Sequence, residues 1–253
     1  MDRKQFMEQI GLPEKARSCV LKYMMPEYAY QNWRNIFYKN ETRFFQEIEK
    51  SREKEFMLLY LYLRFAEDLY PAYKGAGIPD CVYYDTFSDL TIWSAHCFKK
   101  KCIIGLTEEK WLKLHLKMKL FRLGRLQFEK DTAEKSIHIH IPEGGTLSPK
   151  ACGESIQQAR GFFGDSYKLF DCESWLLSPV LLELLNAESN IIRFQKRFRV
   201  LRVNKKVRQA EERVFGEIRV DKQLYPENTA LQKSLKRCLL NGRNPGVGYG
   251  ILI

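Results

Sequence analysis

The chain has 253 residues, of which 45% are hydrophobic and 13% aromatic. That excludes a disordered polymer and leaves room for two modest domains. Lys and Arg outnumber Asp and Glu by 42 to 31, a net charge of +11, which favours anionic partners such as nucleic acid or a phosphate-rich molecule like coenzyme A. A solvated basic surface accounts for the same charge.

No stretch reaches the ~18 uninterrupted apolar residues of a membrane span. Met1-Asp2-Arg3-Lys4-Gln5 leads directly into an amphipathic pattern without the apolar core of a signal peptide. The expectation is a cytoplasmic protein with no membrane partner. The seven cysteines are odd in number and scattered. None forms a C-x-x-C pair, so neither a disulfide framework nor a zinc cage is expected.

Up to about residue 118 the chain reads as helices. Leu12-Pro13-Glu14 looks like a helix start, with the proline near the first turn. A long apolar stripe through Phe45, Ile48, Phe56, Leu59, Tyr60 and Leu63 predicts a helix over residues 41–69. Its polar middle, residues 49–55, is a possible break, and Tyr70-Pro71 should end it. A loop over 74–79 and more helix over 81–100 follow. Thr107 then reads as the cap of another helix, with Glu108 and Glu109 in its first turn. Trp111, Leu114, His115 and Met118 share one of its faces.

The pattern changes near Leu120. Residues 121–128 read as one strand, 130–135 as a polar turn, and 136–141 as the cleanest strand in the chain. Ile137, Ile139 and Ile141 alternate there with His138 and His140. Ser148-Pro149 is a cap and first-turn pair opening a helix. A strand over 167–175, a Leu-rich helix from Ser178-Pro179 to near Asn190, and a basic strand over 194–203 follow. Helices over 207–215 and 229–240 and a glycine-rich terminal strand complete the chain. Alternating strands and helices in this half point to a mixed sheet with helices packed on it.

The sharpest local motif is strand, Glu143-Gly144-Gly145-Thr146-Leu147-Ser148, helix. Glycines let backbone amides approach a ligand closely, and a helix N-terminus adds unpaired N–H groups and partial positive charge. Together these suit a pyrophosphate; an ordinary strand-to-helix turn has the same sequence pattern. His138 and His140 share a strand face, but a metal would need further ligands, and no metal is expected. The basic segment between Arg193 and Arg213, with Phe194 and Phe198 interleaved, reads as a solvated face rather than a specific nucleic-acid stripe. Gly246 to Gly250 lacks a following helix and reads as close packing of the last strand.

Several words carry a family resemblance. They are residues 121–129 (FRLGRLQFE), 141–145 (IPEGG), 170–177 (FDCESWLL), 189–191 (SNI), 213–216 (RVFG), 226–232 (PENTALQ) and the glycine-rich end. In this order they resemble a bacterial acyltransferase-like family with a helical N-acyltransferase N-terminal domain and a GNAT-like C-terminal domain. The resemblance is strong over residues 85–253 and weak over the first 80. It implies an α+β protein: a helical domain over 1–118, then a GNAT-like mixed β-sheet flanked by helices over 119–253.

GNAT enzymes hold acyl-CoA between two splayed strands, here 136–141 and 167–175. The implied cofactor-binding residues are Ile139, Ile141, Gly144, Gly145, Thr146, Leu147 and Ser148, with Glu173 and Glu143 as candidate catalytic bases. The implied reaction moves an acyl group from acetyl-CoA or another acyl-CoA to a small-molecule or peptide amine acceptor. The alternative is a non-catalytic module of the same fold that binds a ligand, peptide or nucleic acid. The usual R/Q-x-x-G-x-G/A signature is missing from the turn. Gln158 to Gly164 looks similar but lies at the helix end. The oligomeric state is left open.

Overall fold

The computed structural model describes residues 2–253 and divides into two compact units, Met1–Arg122 and Leu123–Ile253. The first unit is helical: α1 (Arg3–Gln9), α2 (Glu14–Lys22), α3 (Glu27–Lys39), α4 (Glu41–Glu49), α5 (Lys54–Gly75), α6 (Asp80–Lys101) and α7 (Leu112–Leu116). The punctuation is local. Asp2 and Asn40 accept the backbone N–H groups of Gln5 and Arg43, while Pro13, Pro26 and Pro79 directly precede α2, α3 and α6. The core is aromatic, with Phe37, Phe44, Tyr62 and Phe65 in mutual ring contact and Phe6, Tyr73, Tyr83 and Phe87 forming a second group.

The expected break near residue 50 is present, but Pro71 does not end its helix, because α5 continues to Gly75. The turn after Pro71 is anchored by Tyr73. That side chain is fully buried against Tyr83 and Phe87. Burial of one such side chain is worth about 2 kcal/mol, which offsets much of the backbone bond the proline forgoes. Thr107 is not a cap. The chain passes flat along α5 at Gly105, where a Cβ would lie 2.5 Å from the Glu55 carbonyl carbon, and Leu106 N–H donates to Glu55 O. A helix forms only from Leu112, and the Glu108 carboxylate accepts the Trp111 N–H. Its buried side chains are Leu112, His115 and Leu116.

A six-stranded mixed sheet organises the rest: β1 (Leu120–Leu123), β2 (Leu126–Asp131), β3 (Ser136–His140), β4 (Leu169–Ser174), β5 (Phe198–Asn204) and β6 (Val247–Leu252), in the order β1-β2-β3-β4-β6-β5. The expected single strand over 121–128 is a hairpin. Gly124 takes φ +66 and turns the chain, which a non-glycine residue resists. β3 runs antiparallel to β2 and parallel to β4, and β6 runs antiparallel to both β4 and β5. The strand expected at the centre is therefore third of six, with the strand expected beside it as its neighbour.

The long helix α8 (Pro149–Phe163) starts on its expected cap, Ser148, whose hydroxyl accepts the Ala151 N–H. Its buried residues are Cys152, Ser155, Ile156 and Ala159. The Leu-rich helix is instead two short ones, α9 (Leu181–Leu184) and α10 (Asn190–Gln195). Asn186 turns the chain by accepting the Glu188 N–H, and Ser189 caps the second helix. Phe194 thus belongs to α10 rather than to the basic strand, and its ring packs on Phe198. Then come α11 (Gln209–Phe215) and α12 (Ala230–Leu240), the latter opened by a Thr229/Gln232 capping box.

Gly248 on β6 carries no Cβ where one would lie 2.4 Å from Leu177 O, in the 3-10 turn Trp175–Leu177 that follows β4. The terminal glycines do serve close packing.

Candidate acyl-transfer site

β3 pairs with β2 from Ser136 to His140, but with β4 only at Ser136↔Leu169, Ile137↔Phe170 and His138↔Asp171. β4 runs on to Ser174 and stays paired with β6 along that stretch. Beyond His138 and Asp171, the facing edges of two parallel strands therefore part toward their C-terminal ends. Crevices at the carboxyl ends of parallel strands are where such sheets bind ligands, because backbone groups there lack strand partners.

After β3 the chain enters the 142–148 turn. Gly144 and Gly145 adopt φ +85 and +66, and a Cβ on Gly144 would meet nothing within 4 Å. Glu143, Gly144, Gly145 and Thr146 are exposed, Leu147 is buried, and Ser148 is half-buried. The turn leads straight into the N-terminus of α8, where unpaired amides and the helix dipole favour negative charge. The guanidinium of Arg125, at the tip of the β1–β2 hairpin, donates to Pro142 O (2.9 Å), Thr146 O (3.2 Å) and Gly145 O (3.4 Å). Arg197 donates to Pro149 O on the first turn of α8. The Gln158-to-Gly164 sequence forms the other end of α8, where Gly164 is the C-cap.

Strand alternation gives the sheet one apolar and one polar face. Ile137, Ile139, Phe170 and Cys172 are buried on the first, and burial pushes the Cys172 thiol well up. The polar face carries a chain of ionisable groups. Asp171 is 3% exposed, and its Oδ1 lies 2.7 Å from His138 Nδ1. His138 Nε2 faces Asp131 at 3.8 Å. The Asp171 hydrogen bond raises the pKa of His138, against the opposing effect of burial, with the charges of Asp171, Glu129 and Asp131 adding to it. Tyr249 on β6 pairs in register with Glu173, two residues beyond Asp171 on the same face. Its pKa is raised first by burial and then by the Asp171 charge. Arg202 lies over the Tyr249 ring at 4.2 Å. His140 Nε2 lies 3.0 Å from Glu129.

The residues singled out from sequence fall into three places. Ile139, buried, and Ile141, half-buried, line the end of β3 at the parting. Gly144 to Ser148 form the turn, with Glu143 beside them. Glu173 lies on the polar face past the parting point, exposed, with Arg202 at 3.8 Å. Sequence reasoning missed the His138–Asp171–Tyr249 arrangement. Its signal was an aspartate flanked by Phe170 and Cys172, at the same offset in its strand as His138 in its own.

Among the described residues, no group of three or more His, Cys, Asp and Glu side chains is placed to hold a metal ion. No helix is long and apolar enough to cross a membrane. Several cations of the basic segment are engaged: Arg193 pairs with Glu188, Arg197 with a backbone carbonyl, and Arg208 with the buried Glu211.

A family model described as a GNAT-like C-terminal domain matches residues 120–252, and one described as an N-acyltransferase N-terminal domain matches residues 1–118. The chain belongs to the family that carries this GNAT-like C-terminal domain. No protein of curated function matches it in sequence. Among solved structures, it is similar to an acyltransferase in complex with decanoyl-CoA and teicoplanin, at 22% identity and a TM-score of 0.81, over 98% of this chain and 86% of that one. The same figures hold for a mutant acyltransferase in complex with octanoyl-CoA and for an acyltransferase in complex with CoA and 10C-teicoplanin. At this identity the likeness is one of fold.

Proposed function

We propose that the chain is an N-acyltransferase that moves an acyl group from acyl-CoA to an amine of a small molecule or peptide. The observation that carries the reading is the parting of β3 from β4 with the His138–Asp171 pair at its apex. The arm of acyl-CoA lies along the freed edges, where backbone N–H groups at Ile139 and Ile141 polarise the thioester oxygen. Its pyrophosphate rests on Gly144, Gly145, Thr146, Leu147 and Ser148. The decanoyl-CoA and octanoyl-CoA of the similar structures favour a medium-chain donor over acetyl-CoA, and teicoplanin in one of those complexes supports a peptide-like acceptor.

His138 is the favoured base. Asp171 orients the ring through Nδ1, which leaves Nε2 to take a proton from the attacking amine. The new C–N bond forms, the C–S bond breaks, and the sulfur leaves as a thiol on receiving a proton. Tyr249, opposite Glu173 on the neighbouring strand, is the candidate donor, since a phenol carries its proton at neutral pH. Glu173 lies two residues beyond Asp171 on the same face and is the second candidate base. Glu143, on the exposed turn, is placed for the pyrophosphate end of the site rather than the thioester.

Calorimetric titration with acetyl-CoA, decanoyl-CoA and free coenzyme A tests the first half of this reading. Thiol release in the presence of an amine panel tests the second. Binding to at least one acyl-CoA and amine-dependent thiol release are expected. No binding to any of them would replace this reading with that of a non-catalytic module.

A further inference from the structure

We infer that Arg125 is a positioning residue for the donor: it sets the direction of the amides in the 142–148 turn and thereby makes the turn a receptor for a phosphate group. The inference rests on the acyl-CoA reading above.

The argument starts at the hairpin tip. Ser155 of α8 ties both strands of the hairpin to the helix, since its hydroxyl accepts the Leu126 N–H and donates to Leu123 O. Gly124, at φ +66, turns the chain beside Ser155 and Gln158, so the Arg125 backbone is fixed against α8. From there one planar guanidinium reaches three carbonyls of the turn, those of Pro142, Gly145 and Thr146. A forked donor group suits this in a way a lysine ammonium does not.

The consequence follows from peptide geometry. No peptide bond among the described residues is cis. In a trans peptide the C=O of one residue and the N–H of the next point in opposite directions. Drawing in the carbonyls of residues 145 and 146 therefore turns the N–H groups of Thr146 and Leu147 away from Arg125. The positive φ values of Gly144 and Gly145 allow both glycines to follow this course. Arg125 thus uses its charge on carbonyl oxygens, leaving the amides to meet the ligand. A turn without the usual phosphate-binding signature acquires its amide geometry from a residue on another element.

The test compares two donors that share the thioester but differ in phosphate: decanoyl-CoA and decanoyl-pantetheine. Arg125→Gln and Arg125→Lys are assayed beside the parent, with melting curves confirming that each is folded. Loss of the forked contact should raise KM for decanoyl-CoA tenfold or more and leave kcat within about threefold. KM for decanoyl-pantetheine should stay within twofold, a split that general loosening of the fold does not produce. Arg125→Lys should fail to restore the parent KM, because a point charge cannot gather three carbonyls. A parent enzyme that prefers decanoyl-CoA, with a preference unchanged in folded Arg125→Gln, overturns the inference alone. Equal losses for both donors overturn it as well. A parent that uses neither donor overturns the acyl-CoA reading and the inference together.

Discussion

Replacing Gly248 by alanine tests how tightly the end of β4 is fixed against β6. Gly248 does not need positive φ, so the backbone itself tolerates alanine. The obstacle is the Leu177 peptide, whose oxygen would lie 2.4 Å and carbon 2.7 Å from the new Cβ. Relief needs a shift of about 1 Å, since carbon contacts are comfortable near 3.5 Å. The 3-10 turn resists that shift. Gln195 donates to Leu176 O and Ser178 O, and the Ser178 hydroxyl donates to Pro245 O. Overpacking costs typically 1–3 kcal/mol, and each strained hydrogen bond adds about 1 kcal/mol. A loss of about 2–4 kcal/mol is expected, which lowers Tm by roughly 8–15 °C for a unit of this size. Scanning calorimetry reads the shift. Gly161→Ala is the control, because its Cβ meets nothing within 4 Å inside α8, so it should be neutral or stabilising by up to about 1 kcal/mol. A fall of less than 2 °C in Gly248→Ala would show that the turn moves aside freely, and the argument from its hydrogen bonds would be wrong.

Other outcomes follow from the site. Gly145→Val places a β-branched residue at φ +66 and should weaken acyl-CoA binding at least tenfold, about 1.4 kcal/mol, whereas Lys150→Ala should cost less; calorimetric titration of folded variants decides. His138→Gln should lower kcat/KM by about 10²- to 10⁴-fold, the usual range for a general base. Because Asp171 raises the pKa of His138, the neutral base forms at higher pH than in an unpaired histidine. The rising limb of kcat/KM against pH should therefore move to lower pH in Asp171→Asn, and a limb that stays in place would remove His138 from the role. The sign for stability is opposite. A raised folded-state pKa stabilises fully below the unfolded value, and this contribution is lost as pH rises through the folded one.

Much of this architecture could be read without coordinates where one residue decides one local choice. Ser148 capping α8, the start of α12 at Thr229 and the Ile/His alternation of β3 are of that kind. The misreadings occur where a nonlocal contact decides. FRLGRLQF alternates like a single strand, and only the packing of its turn against Ser155 and Gln158 shows why Gly124 reverses the chain. Pro71 should stop a helix, but Tyr73 holds the following turn in the core. The glycine turn between β3 and α8 was legible in the chain, but the reach of Arg125 across 17 residues to Pro142 O was not. The His138–Asp171 contact required knowing both that the strands are parallel neighbours and their register. Single-strand periodicity carries neither fact.

The buried thiol of Cys172 has a consequence for chemistry next to a thioester. Acyl groups pass readily from one sulfur to another when the receiving sulfur is a thiolate. Cys172 follows Asp171 at the point where the strands part, but it faces the apolar side, and its burial keeps the sulfur protonated. On the proposed function, the strand presents the carboxylate that orients the base on one face and hides a competing nucleophile on the other. On the same reading, an acyl donor held there is protected from capture by the protein itself and stays committed to an incoming amine. Thiol-directed labels should instead mark the exposed Cys19, Cys81 and Cys102, all of them on the helical unit and none on the sheet.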